Sequence, residues 1–154
     1  MSLVSKIASL TLILLVILII FDVFNRYLFS NGSIALQELE WHFFDIIMLL
    51  SLFYTLKLDG HVRVDIIYSN LSKQRKKFID LFSHLFFIIP FSILVIYESY
   101  YFVELSFIQN EISSDPGGLE YRYIVKSLII LGFSLLTIQS ILEIVKLLKK
   151  EKTN

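Results

Sequence analysis

The 154-residue sequence contains no cysteine, which excludes disulfides, thiolate metal sites and cysteine redox chemistry. Its formal net charge is zero, so no overall field draws it to nucleic acid, and no nucleic-acid partner is expected. It lacks a nucleophile–base spacing, a phosphate-binding glycine loop and a nucleotide motif, so nothing points to an enzyme. Prolines number two and glycines five, which makes each break in the chain informative. What the sequence has in excess is apolar surface: 56% of residues are hydrophobic and 15% aromatic. A soluble fold of this length could not hide that much, and the apolar residues fall in blocks of membrane-spanning length.

Four blocks run over about 7–29, 37–58, 78–105 and 123–148, each long enough to cross a hydrocarbon core of ~30 Å. The expected fold is therefore an all-α membrane protein, one four-helix domain over 1–154. A cleaved signal peptide is the rival reading of the first block, since Ile7 to Phe21 has the right length behind Lys6. That run continues through Asp22 and Arg26 to Phe29 with no small-x-small site directly after it, which favours an uncleaved helix. Ser72 is placed to cap the third block. Pro90 lies inside that block and predicts a kink, with one backbone hydrogen bond removed. Ser113-Ser114-Asp115-Pro116-Gly117-Gly118 is the clearest turn signal, within a connection over 106–122.

Residues 59–77 form a polar, charge-dense hinge between the second and third blocks. Val64, Ile67, Tyr68 and Leu71 recur at helical spacing, with Arg63, Asp65, Ser69 and Asn70 elsewhere on the wheel. That pattern predicts a short amphipathic helix lying in the membrane surface. Eleven of the fourteen Lys and Arg residues sit at Lys6, in the hinge with its flanks, or in the tail from Lys146 onward. Four spans bring all three regions to one side, which the positive-inside rule makes cytoplasmic, with both termini inside. The connections 30–36 and 106–122 then face outward. Lys73, Arg75, Lys76 and Lys77 are placed to bind anionic lipid headgroups on the inner side.

Ionisable groups inside a span are costly and usually face protein. Asp22 and Arg26 are four apart and share a helix face. Asp22 lies eight residues before Ser30 and Asp45 eight after Gln37, both about 12 Å from the outer end. Arg26 lies at the level of Glu38 and Trp41. One polar cluster of Asp22, Arg26, Glu38 and Asp45 is the expected link between the first two spans, and a proton or ion relay is its functional rival. Lys126 falls near the level of Glu104, with interfacial solvation an equal reading. Gln139 sits mid-span, where an amide usually bonds a neighbouring helix, and Trp41 and Lys126 complete the expected packing residues. His42, His61 and His84 lie at three different levels, which argues against a haem with two axial histidines, and no metal-type spacing appears. No cofactor is expected.

Specific motifs accompany this pattern. Arg26-Tyr27 closes the first span, Gln37-Glu38-Leu39 with Trp41 opens the second, and Tyr54-Thr55-Leu56 precedes the hinge. The hinge itself reads Gly60-His61-Val62-Arg63-Val64-Asp65, and Asp80 follows on the third span. Asp115-Pro116-Gly117-Gly118-Leu119 with Tyr121-Arg122, Lys126, Gly132-Phe133 and Gln139 completes the set. Together they resemble the small membrane subunit, of the DctQ type, of the tripartite ATP-independent periplasmic (TRAP) transporters, over nearly the whole chain. The set from Asp115 to Leu119 with Tyr121-Arg122, Lys126, Gly132-Phe133 and Gln139 resembles one branch, associated with mannitol or chloroaromatic compounds. The resemblance implies a bacterial inner-membrane importer in which a periplasmic binding protein delivers a solute, commonly an organic acid, to a large permease subunit. That subunit moves it with sodium or another ion gradient, and the small subunit scaffolds the large one. The outward Asp115-Pro116-Gly117-Gly118 turn, with Arg122, is then a candidate contact for the binding protein, or simply a tight turn. Two other readings stay open: an accessory subunit of another membrane complex, and a self-sufficient small proton-coupled exporter.

Overall fold

The computed structural model describes residues 3–58, 68 and 70–149, and their regular structure is entirely helical. The hinge residues Gly60, His61, Val62, Arg63, Val64 and Asp65 lie outside the described residues, as does most of the expected amphipathic segment. Four helices form: α1 Leu3–Phe29, α2 Ile34–Lys57, α3 Lys73–Ile108 and α4 Arg122–Lys149. At 27, 24, 36 and 28 residues, all are long and apolar enough to cross a membrane.

Local chemistry sets their ends. Ser33 caps α2 by accepting a hydrogen bond from the Leu36 N–H at 3.4 Å, so the helix starts at Ile34, ahead of the block read from 37. Ser72 caps α3 through the Arg75 N–H at 3.5 Å, as its sequence position predicts. The basic run 73–77 is therefore the first turn of a helix that begins well before residue 78. The break expected at Pro90 takes the form of a π-turn over His84–Ile88, where the Ile89 N–H bonds the His84 carbonyl five residues back. Such a turn shifts the helical register by one residue, just where the proline ring would otherwise crowd the carbonyl four positions earlier.

The helices pack as an open row in the order α1, α2, α4, α3. Among the described residues, no other pair of helices packs to a comparable extent. The buried hydrophobic residues are Leu15, Leu56 and Leu136, while most Leu, Ile and Phe side chains face outward. In lipid this arrangement is stable, because apolar side chains gain little by leaving the tails and small or polar residues draw helices together.

The seams follow that rule. On α1 the covered positions are Val4, Ala8, Thr11, Leu15, Leu18, Asp22 and Asn25, plus Ser5. Apart from Ser5 they alternate in steps of four and three, the spacing of a coiled-coil seam. On α3 the buried residues Ser92, Ser99 and Ser106 recur every seven positions and let α4 approach. Gly132 of α4 meets α2, where an added β-carbon would lie 2.9 Å from the Leu49 side chain.

Candidate functional site

The charged side chains at the loop end of the row divide between two faces of α2. Glu38, Trp41, His42 and Asp45 stand at i, i+3, i+4 and i+7, on the face that looks toward α4. With Ser114, Asp115 and Arg122 they line a cleft of about 300 Å³. Glu38 is its anchor. One carboxylate oxygen accepts from the Ser113 hydroxyl and from Arg122 Nη1, the latter at 3.0 Å, while the other accepts from the Leu119 backbone N–H.

The loop between α3 and α4 is shaped to reach Glu38. Its arms are tied by backbone bonds from Ser113 N–H to the Leu119 carbonyl and from Arg122 N–H to the Glu111 carbonyl, both 3.1 Å. At the tip, the Gly118 N–H bonds the Asp115 carbonyl at 3.0 Å and Gly117 has φ +80°. With Pro116 ahead of that glycine, this is the pattern of a type II turn. Gly118 must remain a glycine for the loop to close on α2, because a β-carbon there would lie 2.8 Å from Glu38 Oε2 and overlap Ser113.

A second pair backs the latch. Lys126 bonds Glu111, and its ammonium lies 3.9 Å from the centre of the Phe102 ring. The Lys126 ammonium beside Glu111 holds that carboxyl below its ordinary range. Glu104, the residue read at the level of Lys126, is exposed instead.

The opposite face of α2 meets α1. Arg26 of α1 bonds Asp22 Oδ2, and Asp22 is 1% exposed. Glu40 of α2 lies near enough to feel both charges, repelled by Asp22 and attracted by Arg26. Asp22 Oδ1 and Glu40 Oε1 are both buried without a hydrogen-bond partner.

Residues 15–150 match the family described as tripartite ATP-independent periplasmic transporters, DctQ component. The chain belongs to this family. No curated protein matches it. DctQ membership makes the chain a component of a TRAP transporter rather than a member of an enzyme family. Its four helices of spanning length fit a multi-pass membrane subunit.

This DctQ chain places the residues singled out in its sequence as follows. The expected foursome of Asp22, Arg26, Glu38 and Asp45 divides: Asp22 and Arg26 meet on the α1 side, while Glu38 and Asp45 turn to the cleft. Glu40 stands where Glu38 was expected. The reason is angular: Glu38 and Glu40 are two residues apart, about 200° around the helix, so level alone could not choose between them. Trp41, expected in packing, is 67% exposed with its ring edge-on to Phe44. Gln139 is buried, but it donates to Glu143 of its own helix at 2.6 Å rather than to a neighbouring one. Lys73 and Arg75 are exposed, and Lys76 and Lys77 half-buried.

Besides the closure of the loop on Glu38 and the Lys126–Glu111 pair, two contacts had no counterpart in the sequence reading. His84 Nδ1 pairs with Ser140 Oγ at 2.8 Å, joining the π-turn of α3 to α4. Tyr68 donates to Asp80 at 2.7 Å, with the Lys76 ammonium 5.4 Å from its ring centre. The first carried a faint signal, a histidine six residues before a proline at a small-residue seam. Among the described residues, no group of three or more His, Cys, Asp or Glu side chains is placed to hold a metal ion.

Proposed function

We propose that this chain is a scaffold: the small permease subunit that frames the large TRAP permease during uptake of a small solute driven by an ion gradient. The observation that carries the reading is that the cations at the loop end of the spans are engaged locally. Arg26 is bound to Asp22 and Arg122 to Glu38, which suits a fixed frame better than a path for moving ions. The open row leaves long apolar faces on both sides, a form suited to lying beside a larger membrane partner.

In this reading the protein sits in the bacterial inner membrane with both termini in the cytoplasm, and loops 30–33 and 109–121 face the periplasm. The solute is an organic acid delivered by a periplasmic binding protein. The Asp115-Pro116-Gly117-Gly118 turn with Arg122 is the candidate contact for that protein, held rigid by its closure on Glu38. The hinge of Gly60, His61, Val62, Arg63, Val64 and Asp65 joins the two helix pairs at the cytoplasmic surface. Lys73, Arg75, Lys76 and Lys77 bind anionic headgroups there and fix the height of the frame.

The test is co-expression with a large TRAP permease partner, purification through a tag on this chain, and uptake into liposomes with the binding protein added. Stable co-purification and uptake that needs all three components support the scaffold. Solute movement by this chain alone overturns it. Replacing Lys73, Arg75, Lys76 and Lys77 by glutamine should loosen the complex or lower uptake without blocking insertion, and unchanged uptake would remove their anchoring role.

A further inference from the structure

The seam between α1 and α2 holds two carboxylates and one guanidinium. Asp22 lies seven residues before the end of α1 and Glu40 six after the start of α2, so both are about 10 Å in from the loop end. Asp22 falls on the stripe of α1 that meets α2 and is 1% exposed. Its Oδ2 is taken by Arg26. Its Oδ1 and Glu40 Oε1 are sealed from solvent with no donor between them.

With both carboxyls ionised, the seam would carry one net negative charge inside the membrane and two oxygens with nothing to accept. One proton resolves both faults. It brings the charge of the trio to zero and converts an acceptor-only carboxylate into a carboxylic acid, which has an O–H to donate. We propose that Glu40 is held neutral in the membrane and shares its proton with Asp22, making the α1–α2 seam a buried proton-holding site.

The proton belongs to Glu40 because, among the described residues, the only cation in reach is bound to the other acid. From α1, Asp22 and Arg26 are the charged groups acting on Glu40. On α2 its neighbours one turn away are Leu36, Gln37, Phe43 and Phe44, none of them charged. α4 packs on α2 at the face of Glu38, about 200° around the helix from Glu40. No third helix packs on α1 to a comparable extent among the described residues, so α3 and α4 bring no further counter-charge to the seam. A metal ion fits poorly, since hard cations gather six or more oxygens and this seam offers two without partners. The site differs from the solute path of the proposed function and requires only that α1 and α2 lie in a bilayer.

The experiment is infrared spectroscopy of the full-length chain in lipid nanodiscs at neutral pH. The expected result is the carbonyl-stretch band of a protonated carboxylic acid, lost in Glu40→Gln and retained in Glu104→Gln, which changes an exposed glutamate. Absence of the band, or its survival in Glu40→Gln, overturns the proposal. Glu40→Gln should keep the thermal midpoint of the parent chain, because an amide is also neutral and also donates, while Glu40→Ala should lower it. If Glu40→Gln fails to accumulate where the parent chain does, the seam requires a charged carboxylate and the proposal falls. Exchanging choline for sodium at fixed ionic strength should leave the band unchanged; its loss in sodium would assign a metal ion in place of the proton.

Discussion

Glu38 and Glu40 stand two residues apart on one helix, at one end of the membrane-spanning row, and meet opposite surroundings. Glu38 turns toward α4 and is bound by a guanidinium, a hydroxyl and a backbone N–H from the loop before that helix. Glu40 turns toward α1, where a single arginine is committed to another acid and one of its own oxygens is sealed without a donor. The difference lies in the neighbour. A loop carries spare N–H groups and can be shaped around a charge, whereas a helix has spent its N–H groups on its own carbonyls. Only side chains can answer a carboxylate on the α1 side, and at that end α1 supplies one cation, Arg26.

The comparison is tested most severely by removing that cation. Arg26→Ala leaves the buried Asp22 without a counter-charge; a broken buried pair costs on the order of 3–5 kcal/mol, and the lower end applies because Arg26 is 46% exposed. Membrane yield and thermal midpoint should fall sharply, and further than for Asp22→Asn, which leaves unpaired only the Arg26 guanidinium, itself half exposed. Equal losses for the two variants would mean that the pair is not isolated from water.

A smaller effect is expected on the other face. Glu38→Ala removes the latch, and hydrogen bonds to charged groups contribute roughly 1.5–3 kcal/mol each, less where water can replace them. Arg122 is 34% exposed, so the lower end applies. The change should appear as faster hydrogen exchange or protease cleavage over 113–119, with α1 and α2 unaffected. Gain of exchange across α1 would show that the two faces are coupled.

The mildest change is acid. Glu111 is held below its ordinary value of 4.5 by the Lys126 ammonium. Its pKa is thus lower folded than unfolded, so its contribution is fully present above 4.5 and disappears as pH falls through the lowered folded value. Exchange protection of the loop should weaken only in that acidic range. Weakening above it would assign the effect to another group.

Spanning helices, the Ser72 cap and the type of chemistry at each span end were legible because they depend on residues near in sequence. Apolar runs of this length have few alternatives, and a serine ahead of Lys73 is a local signal. The π-turn was half legible: Pro90 announced a break, but its wide-turn form depends on how the helix absorbs the ring. The division of the polar cluster was not legible from level. A wheel of α2 separates Glu38 from Glu40, yet only knowing which helix lies on each side says which carboxylate meets Arg26. Gln139 shows the same limit, since its amide has a partner one turn away that competes with any neighbouring helix.

The sequence by itself determined the membrane class, the four helices and the family, because hydropathy, capping and motif are properties of short stretches. Its heptad spacings also held the seams, at Thr11, Leu15, Leu18 and Asp22 and at Ser92, Ser99 and Ser106. Tertiary structure alone decided that the helices form an open row in the order α1, α2, α4, α3, and that the loop closes on Glu38 while Glu40 is left with Asp22. In lipid the apolar faces are nearly equivalent, so hydrophobicity does not choose neighbours. Small residues, donors and charges do, and their partners are fixed only when the helices come together.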